Sequence, residues 1–318
     1  MHDKLKSVKR TLRNALDYFP GLLKQRSRKA ELSSERKHYS VNDILQDVDQ
    51  MPIPDGAAVL VHSSLKSIGF VEGGPQAVVE ALIKSVVDNR GGTLMFPTYS
   101  ISGTMHNTLV EGYADGSGKF DVSKTPSNLG AIPEAFRNWP GVIRSVHPTH
   151  SFTALGPLAE ELVATHHTCG TSFGRGSPMA NLLNHDSWLL GLGTNLGNVT
   201  LYHCLEEIED DFPFDVYTSD SPLPATCIDW ENKEHHLSFS THSTSVSKTR
   251  IDRPENSVIR EFFTSQFEER AGLSWHQVCE ARTWLVGVDK FYAESARLMR
   301  EGVTIYTTES ELRDGGFL

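Results

Sequence analysis

The sequence predicts an α/β fold: a mainly parallel sheet with helices on both faces and an antiparallel addition near the middle. Three observations carry this. Short apolar runs of strand length alternate with amphipathic stretches of helix length along the chain. The first such run, AAVLVH at 57–62, is apolar almost without a break, as expected of a strand buried on both faces. Residues 213–250 instead alternate apolar and polar side chains and read as antiparallel strands.

Leu5, Val8, Leu12, Ala15 and Phe19 share one stripe of a helix over residues 2–19, and Pro20 ends it. Lys4, Lys6, Lys9, Arg10 and Arg13 cover much of the rest. Such a basic helix suits an anionic membrane surface or a partner chain, and equally an arm packed on its own body or on a second subunit. Residues 25–40 read as a linker. Ser40 is a plausible N-cap for a helix over 40–47. After the strand at 57–62, a loop rich in Gly and Ser leads to a helix over 76–87, with Pro75 suited to its first turn. Strands are expected at 93–96, 142–146, 151–155 and 187–192. Helices are expected at 131–137, 158–165 and 200–210. Towards the end the pattern gives a short helix at 274–280, a strand at 281–288, a helix at 289–301 and a last strand at 303–307.

The chain has 318 residues, enough for one large α/β domain or two small ones, and its 38% hydrophobic and 22% charged residues exclude wholesale disorder. Residues 1–40 hold eleven Lys and Arg against four Asp and Glu; the remainder holds 19 basic and 36 acidic residues. So acidic a body disfavours nucleic acid, whose phosphates need a cationic surface. Cys169, Cys204, Cys227 and Cys279 form no C-x-x-C pair, which fits reduced thiols rather than a disulfide framework or structural zinc. No apolar run reaches membrane-spanning length and no secretion signal is evident, so a soluble cytoplasmic protein is expected.

Three stretches carry chemistry. The loop at 61–75 leaves a strand and enters a helix, where open α/β sheets bind ligands. The hydroxyls of Ser63 and Ser64, the Lys66 ammonium and free backbone N–H groups there suit a pyrophosphate, although neither G-x-G-x-x-G nor G-x-x-x-x-G-K-[ST] is present. In RSVHPTHSF at 144–152, His147 and His150 are possible metal ligands, but no third ligand stands at a convincing spacing. In the helix from Thr200, residues His203, Glu206, Glu207 and Asp210 share one face. A carboxylate beside an imidazole orients it and favours proton acceptance, and the acidic face suits a polyamine; a solvated helix face has the same spacing. His-Glu-x-x-His is absent, which removes the obvious zinc hydrolase.

Eight blocks then occur in a specific order: VHSSLKSIG at 61–69, VEGG at 71–74, FPTYS at 96–100, FDVSKTPSNLG at 120–130, RSVHP at 144–148, SFTALGPLA at 151–159, GRGSP at 174–178 and TLYHCLE at 200–206. The series resembles the aminoglycoside 3-N-acetyltransferase family, closely over residues 55–212 and loosely elsewhere. The resemblance implies an α/β/α sandwich around a mixed sheet, acetyl-CoA as cosubstrate, no metal, and direct acetyl transfer to an amine within a ternary complex. It carries the catalytic histidine onto His203, its carboxylate onto Glu206 and a threonine onto Thr200. His62, Ser63, Ser64, Leu65 and Lys66 become coenzyme A contacts. His147, Ser151 and Ser177 fall near the shared site, His147 among the catalytic residues and Ser151 and Ser177 on the cofactor side. Tyr99, Glu207 and Asp210 are the expected acceptor contacts.

A protonated amine is no nucleophile, so a base such as His203 must take a proton, and the thioester oxyanion needs donors such as Thr200. Cys204 follows His203 directly, and adjacent helical residues point about 100° apart, which argues against an acetyl-cysteine. Residues 1–45 are then a basic arm and linker and 46–318 the N-acetyltransferase domain. The arm, and the segments 100–118 and 213–250, depart from the family pattern. An amino sugar is therefore the expected acceptor; alternatives are a clinical aminoglycoside, as in antibiotic resistance, and a non-catalytic CoA- or partner-binding protein. The heptad-like arm makes a homodimer plausible.

Overall fold

The computed structural model describes residues 37–318 except residue 114, and, of the side chains, not those of residues 247 and 249. The expected helix at 2–19 lies outside the described residues. Contacts divide the chain after residue 38, and the fold described here is the larger unit, residues 39–318. Helix α1 (Val41–Asp49) opens it, capped by Ser40 in a capping box with Asp43. Its buried Ile44 and Val48 pack into the body, so the expected boundary at residue 45 falls inside a packed helix.

Seven strands form the main sheet. In chain order they are β1 (Ala58–Ser63), β2 (Thr93–Pro97), β4 (Ile143–Arg144), β5 (Phe152–Leu155), β6 (Ser187–Leu192), β9 (Ser274–Val278) and β10 (Ala281–Gly287). Their spatial order is β9-β10-β6-β1-β2-β5-β4. The parallel part is the central trio β6-β1-β2, and both flanks pair antiparallel. The sheet is mixed, as expected, but antiparallel pairing has the larger share. The sequence pattern places it instead at 213–250, where β7 (Leu223–Ile228) and β8 (Glu234–Phe239) join β3 (Lys119–Asp121) in a separate three-stranded sheet.

Alternate residues of the central strands feed two cores. Ala58, Leu60, Met95 and Leu189 face one cluster, whereas Val59, Val61, Leu94, Phe96 and Leu190 face the other. Helix α3 (Gly74–Ile83) and α5 (Ala131–Arg137) cover the second face, and α8 (Tyr202–Ile208), α9 (Ser257–Arg270) and α10 (Val288–Arg300) the first. Each fully buried Leu, Ile or Phe contributes about 1.5–3 kcal/mol of transfer free energy, which drives the three-layer arrangement. Gly191 lets the layers close: a Cβ there would stand 1.8 Å from the Trp284 indole of the neighbouring strand.

Two late elements differ from the sequence pattern. Residues 274–278 are a strand, because they pair with β10 through Trp275 opposite Trp284, turning at Cys279 with φ of 52°. Residues 303–307 are a turn, held by Thr307 Oγ1 accepting from Thr304 N and by Ile305 O accepting from Ile251 N. Helices α4 (Met105–Gly112), α9 and α11 (Glu309–Asp314) are additional to the expected set. Among the described residues, no helix is long and apolar enough to cross a membrane.

Candidate active site

The three parallel strands end on one side of the sheet, and the segments leaving β2 and β6 help build a cavity of about 410 Å³. Tyr99 follows β2, and residues 197–203 follow β6. Chain from 172–173 and 242–253 closes the other walls. This is the end where an open α/β sheet leaves room for ligands.

His203 and Glu206, three residues apart on α8, meet with His203 Nδ1 2.8 Å from Glu206 Oε2. The Tyr306 hydroxyl donates to Glu206 Oε1 at 2.8 Å, reaching it from the turn at 303–307. Burial alone would raise the Glu206 carboxyl; the His203 charge and hydrogen bond, His242 and the Tyr306 hydroxyl outweigh it and hold the carboxyl below its ordinary range. An ionised carboxylate only accepts, so Nδ1 of His203 is the donor in this pair and Nε2 is the nitrogen that Glu206 does not engage. His203 itself lines the cavity.

A second pair backs the first. His242 Nε2 lies 2.8 Å from Glu207 Oε1, and its Nδ1 lies 3.6 Å from Glu206 Oε2. Burial would lower the His242 imidazole, but the Glu207 hydrogen bond and the charges of Glu206 and Glu207 raise it above its ordinary value. Glu207 Oε2 also accepts from Phe173 N at 2.6 Å, and the Phe173 ring lies over the His203 ring. The donor atoms of His203, Glu206 and His242 lie within 4.8 Å of one another, a spacing one metal ion could bridge. The hydrogen bonds already made by these atoms fit a proton-holding network.

The expected residues divide into groups. His203, Thr200 and Tyr99 all line the cavity; the Tyr202 hydroxyl is buried without a hydrogen-bond partner among the described residues, and the buried Tyr99 and Thr200 hydroxyls face each other. Glu206 and Glu207 lie beneath the two histidines. Asp210 is exposed and lines no part of the cavity. His147 is fully buried behind the wall, its Nδ1 accepting from His150 N at 3.0 Å and its ring stacked on His166 at 4.5 Å. Burial and the neighbouring histidines His166 and His150 push it well below the ordinary value.

Ser151 and Ser177 are fully buried and engaged in the fold. Ser151 Oγ donates to Thr98 O and accepts from Arg144 Nε, and Ser177 caps the helix Pro178–Leu182. The loop from His62 to Lys66 stands at the C-terminal end of β1, outside the cavity lining. Within it, Ser64 N donates to Leu192 O, and Gly193 (φ +69°) leaves room for Ser67, whose Cβ a Gly193 side chain would meet at 2.5 Å. His62 Nε2 and Ser63 Oγ are buried without partners there.

Sequence spacing misses His242, Phe173, Tyr306, Arg250 and Arg253, and raises His150 only as a possible metal ligand. His150 does line the cavity, with its Nδ1 3.1 Å from Ser172 Oγ.

A His–carboxylate pair opening on a cavity at the strand ends of an α/β/α fold is an arrangement able to perform general-base chemistry. The family described as aminoglycoside 3-N-acetyltransferase matches residues 60–300, and the chain belongs to that family. Aminoglycoside N(3)-acetyltransferase IX of Micromonospora chalcea is 37% identical over 175 residues, 52% of this chain and 61% of that protein. The aminoglycoside N(3')-acetyltransferase-like protein YokD of Bacillus subtilis (strain 168) is 32% identical over 174 residues, 51% of this chain and 63% of that one. The matches thus span about three fifths of these relatives' length. The crystal structure of YokD protein from Bacillus subtilis aligns at a TM-score of 0.65 and 25% identity, over 82% of this chain and 93% of that chain. AAC-IIIb, solved as a binary complex with CoASH, shares the fold at a TM-score of 0.68 and 20% identity, over 86% and 100% of the two chains.

Proposed function

We propose that the protein is an N-acetyltransferase that moves the acetyl group of acetyl-CoA to a primary amine of an amino-sugar-like acceptor. One observation carries this reading: the hydrogen-bonded chain Tyr306–Glu206–His203 ends on a cavity that the Tyr99, Thr200 and Tyr202 side chains also line. The names of the relatives, and the CoASH complex of AAC-IIIb, support the choice of donor and of an amine acceptor.

The acceptor enters as an ammonium and gives up one proton to solvent water to become nucleophilic. As its nitrogen bonds to the thioester carbon, His203 Nε2 takes a second proton, and the imidazolium formed is stabilised by Glu206. The carbonyl oxygen becomes an oxyanion; the Thr200 hydroxyl, on the cavity wall beside His203, is the donor proposed to meet it. Collapse expels the thiolate of coenzyme A, which recovers a proton from His203. The loop at 62–66, with the orphan atoms of His62 and Ser63, is the proposed donor contact. Ser151, Ser177 and His147 hold the walls in this reading, and neither they nor Asp210 touch the reactants.

Purified protein mixed with acetyl-CoA and a panel of amino sugars, nucleotide-linked amino sugars and aminoglycosides tests this by free thiol release, beside a His203→Ala control. Turnover lost in the control supports the reading. Calorimetric binding of CoA with no acceptor turned over removes the acceptor half, and absence of CoA binding removes both.

A further inference from the structure

His203, Glu206 and His242 have the arrangement of a metal site. Each offers a donor atom within 4.8 Å of the other two, and among the described residues no other group of His, Cys, Asp and Glu does so. The edges through Glu206 Oε2 are 2.8 Å to His203 Nδ1 and 3.6 Å to His242 Nδ1. Tetrahedral ligands at zinc bond lengths lie about 3.3 Å apart, between these two values.

The surroundings complete the pattern. A ligating histidine ordinarily gives its other ring N–H to a carboxylate, and a ligating carboxylate is itself hydrogen-bonded. His242 Nε2 lies 2.8 Å from Glu207 Oε1, whereas its Nδ1 makes no hydrogen bond among the described residues. Glu206 Oε1 accepts from the Tyr306 hydroxyl at 2.8 Å, which leaves Oε2 to the two imidazoles. Glu206 and Glu207 together balance the charge of a dication, and the Arg250 guanidinium on the cavity wall is held by both oxygens of Asp252 at 2.8 and 2.7 Å. Entry is open, because His203 and His242 both line the cavity, from which water supplies the fourth ligand.

We propose that Zn²⁺ binds at His203 Nδ1, Glu206 Oε2 and His242 Nδ1, and that its binding inhibits acetyl transfer. Two imidazoles and one carboxylate suit zinc, where calcium and magnesium would ask for oxygen alone. The inhibition rests on the reading above in which His203 is the base; the site itself does not. Zinc takes the electron pair that otherwise holds the Nδ1 proton. The proton displaced from His203 passes through cavity water to Nε2, and any proton on His242 Nδ1 goes to solvent. His203 Nε2 is then an N–H group with no lone pair for the proton of the amine. Proton and metal are alternative occupants: the N–H bridge from His203 to Glu206 belongs to the metal-free enzyme.

The full chain is stripped with a chelator and titrated with Zn²⁺ by calorimetry. One equivalent is expected to bind through the trio, weakened by about 10–100-fold in His242→Ala and in Glu207→Gln, which loses only the support of His242. His235→Ala, at a histidine–aspartate pair outside the cavity, should leave that equivalent unchanged. Co²⁺ on wild type needs no variant: a four-coordinate site absorbs strongly in the visible, a hydrated surface ion weakly. No binding, binding indifferent to both His242→Ala and Glu207→Gln, or a weak Co²⁺ spectrum overturns the site. With an acceptor that turns over, Zn²⁺ should inhibit thiol release over the concentrations at which it binds, and Glu207→Gln should shift both together. Binding through the trio with turnover unimpaired keeps the site and removes both the inhibition and His203 as the base. Inhibition without binding at the trio leaves the acetyl-transfer reading and overturns the site. Where no acceptor turns over, that reading fails, and calorimetry with the Co²⁺ spectrum still decides the site.

Discussion

The rings of Phe173 and His203 lie one over the other, centroids 5.1 Å apart and planes inclined by 24°. The amide of Phe173 donates to Glu207, so the residue is fixed at both ends of its reach. Phe173 is nearly fully buried and keeps the imidazole from rotating off Glu206. Phe173→Leu retains most of the apolar burial but loses the stack. It should lower kcat by about 10-fold while costing only about 1–2 kcal/mol of stability. Steady-state kinetics beside a denaturant titration checks the split; a stability loss with unchanged kcat would leave Phe173 as packing alone.

Tyr306 supplies the other support of the dyad. Tyr306→Phe removes a hydrogen bond to a charged group, a loss of about 1.5–3 kcal/mol. Because Glu206 is held below its ordinary value of 4.5, its contribution to stability is present above that value and lost as pH falls through the folded one. The stability gap between wild type and Tyr306→Phe is therefore largest at neutral pH and shrinks in acid. The acid limb of kcat should move to higher pH in the variant. Chemical denaturation at a series of pH values, with a kcat profile, measures both.

His242 has the opposite sign. Glu207 and Glu206 raise it, against burial and the nearby Arg250 charge, so its stabilisation is complete below the ordinary 6.5 and disappears as pH rises through the folded value. His242→Asn should melt below wild type at pH 6 and approach it in alkali. Melting temperatures of the pair from pH 5.5 to 9 decide this, and a constant difference across that range would refute it.

The parts of the fold most legible in the sequence are those whose burial is set locally. The strand at 58–63 and the His203–Glu206 spacing can be read because one run is apolar on both faces and the other obeys a single helical period. The helix at 257–270 is missed although Ile259, Phe262, Phe263 and Phe267 recur on one face. What could not be read depends on contacts distant in sequence. The β-branched residues at 303–307 suggest a strand, but their hydroxyls close a turn that delivers Tyr306 to a carboxylate 100 residues away. Nothing in the local period of 241–243 marks His242 as a neighbour of Glu206 and Glu207.

Arg144 ties the wall behind Tyr99. The side chain is buried, its guanidinium donating to Thr98 O, Thr125 O and the Ser100 hydroxyl, and it lies over the Phe120 ring at 4.8 Å. Burial pushes the group down to about 9, so it stays charged at neutral pH. Arg144→Met strands these acceptors, with an expected cost of about 3 kcal/mol or more. Because Thr98 and Ser100 flank Tyr99, the acceptor KM should rise more than the acetyl-CoA KM. Equal rises would indicate general loosening of the fold instead.

Cys204 follows His203 in sequence but belongs to the core: it is fully buried among the apolar residues on that face of the sheet. Burial first, then the Glu207 and Glu206 charges, push its thiol well above the ordinary value, so no thiolate is present to attack a thioester. Successive helical residues diverge by about 100°, and His203 takes the direction of the cavity. Transfer is therefore expected to be direct. Cys204→Ala should keep kcat within about 3-fold of wild type, at a packing cost of about 1 kcal/mol. Protein incubated with acetyl-CoA and no amine should carry no acetyl group at Cys204 by mass spectrometry. An adduct there that is discharged on adding the acceptor would instead establish a two-step route through the thiol.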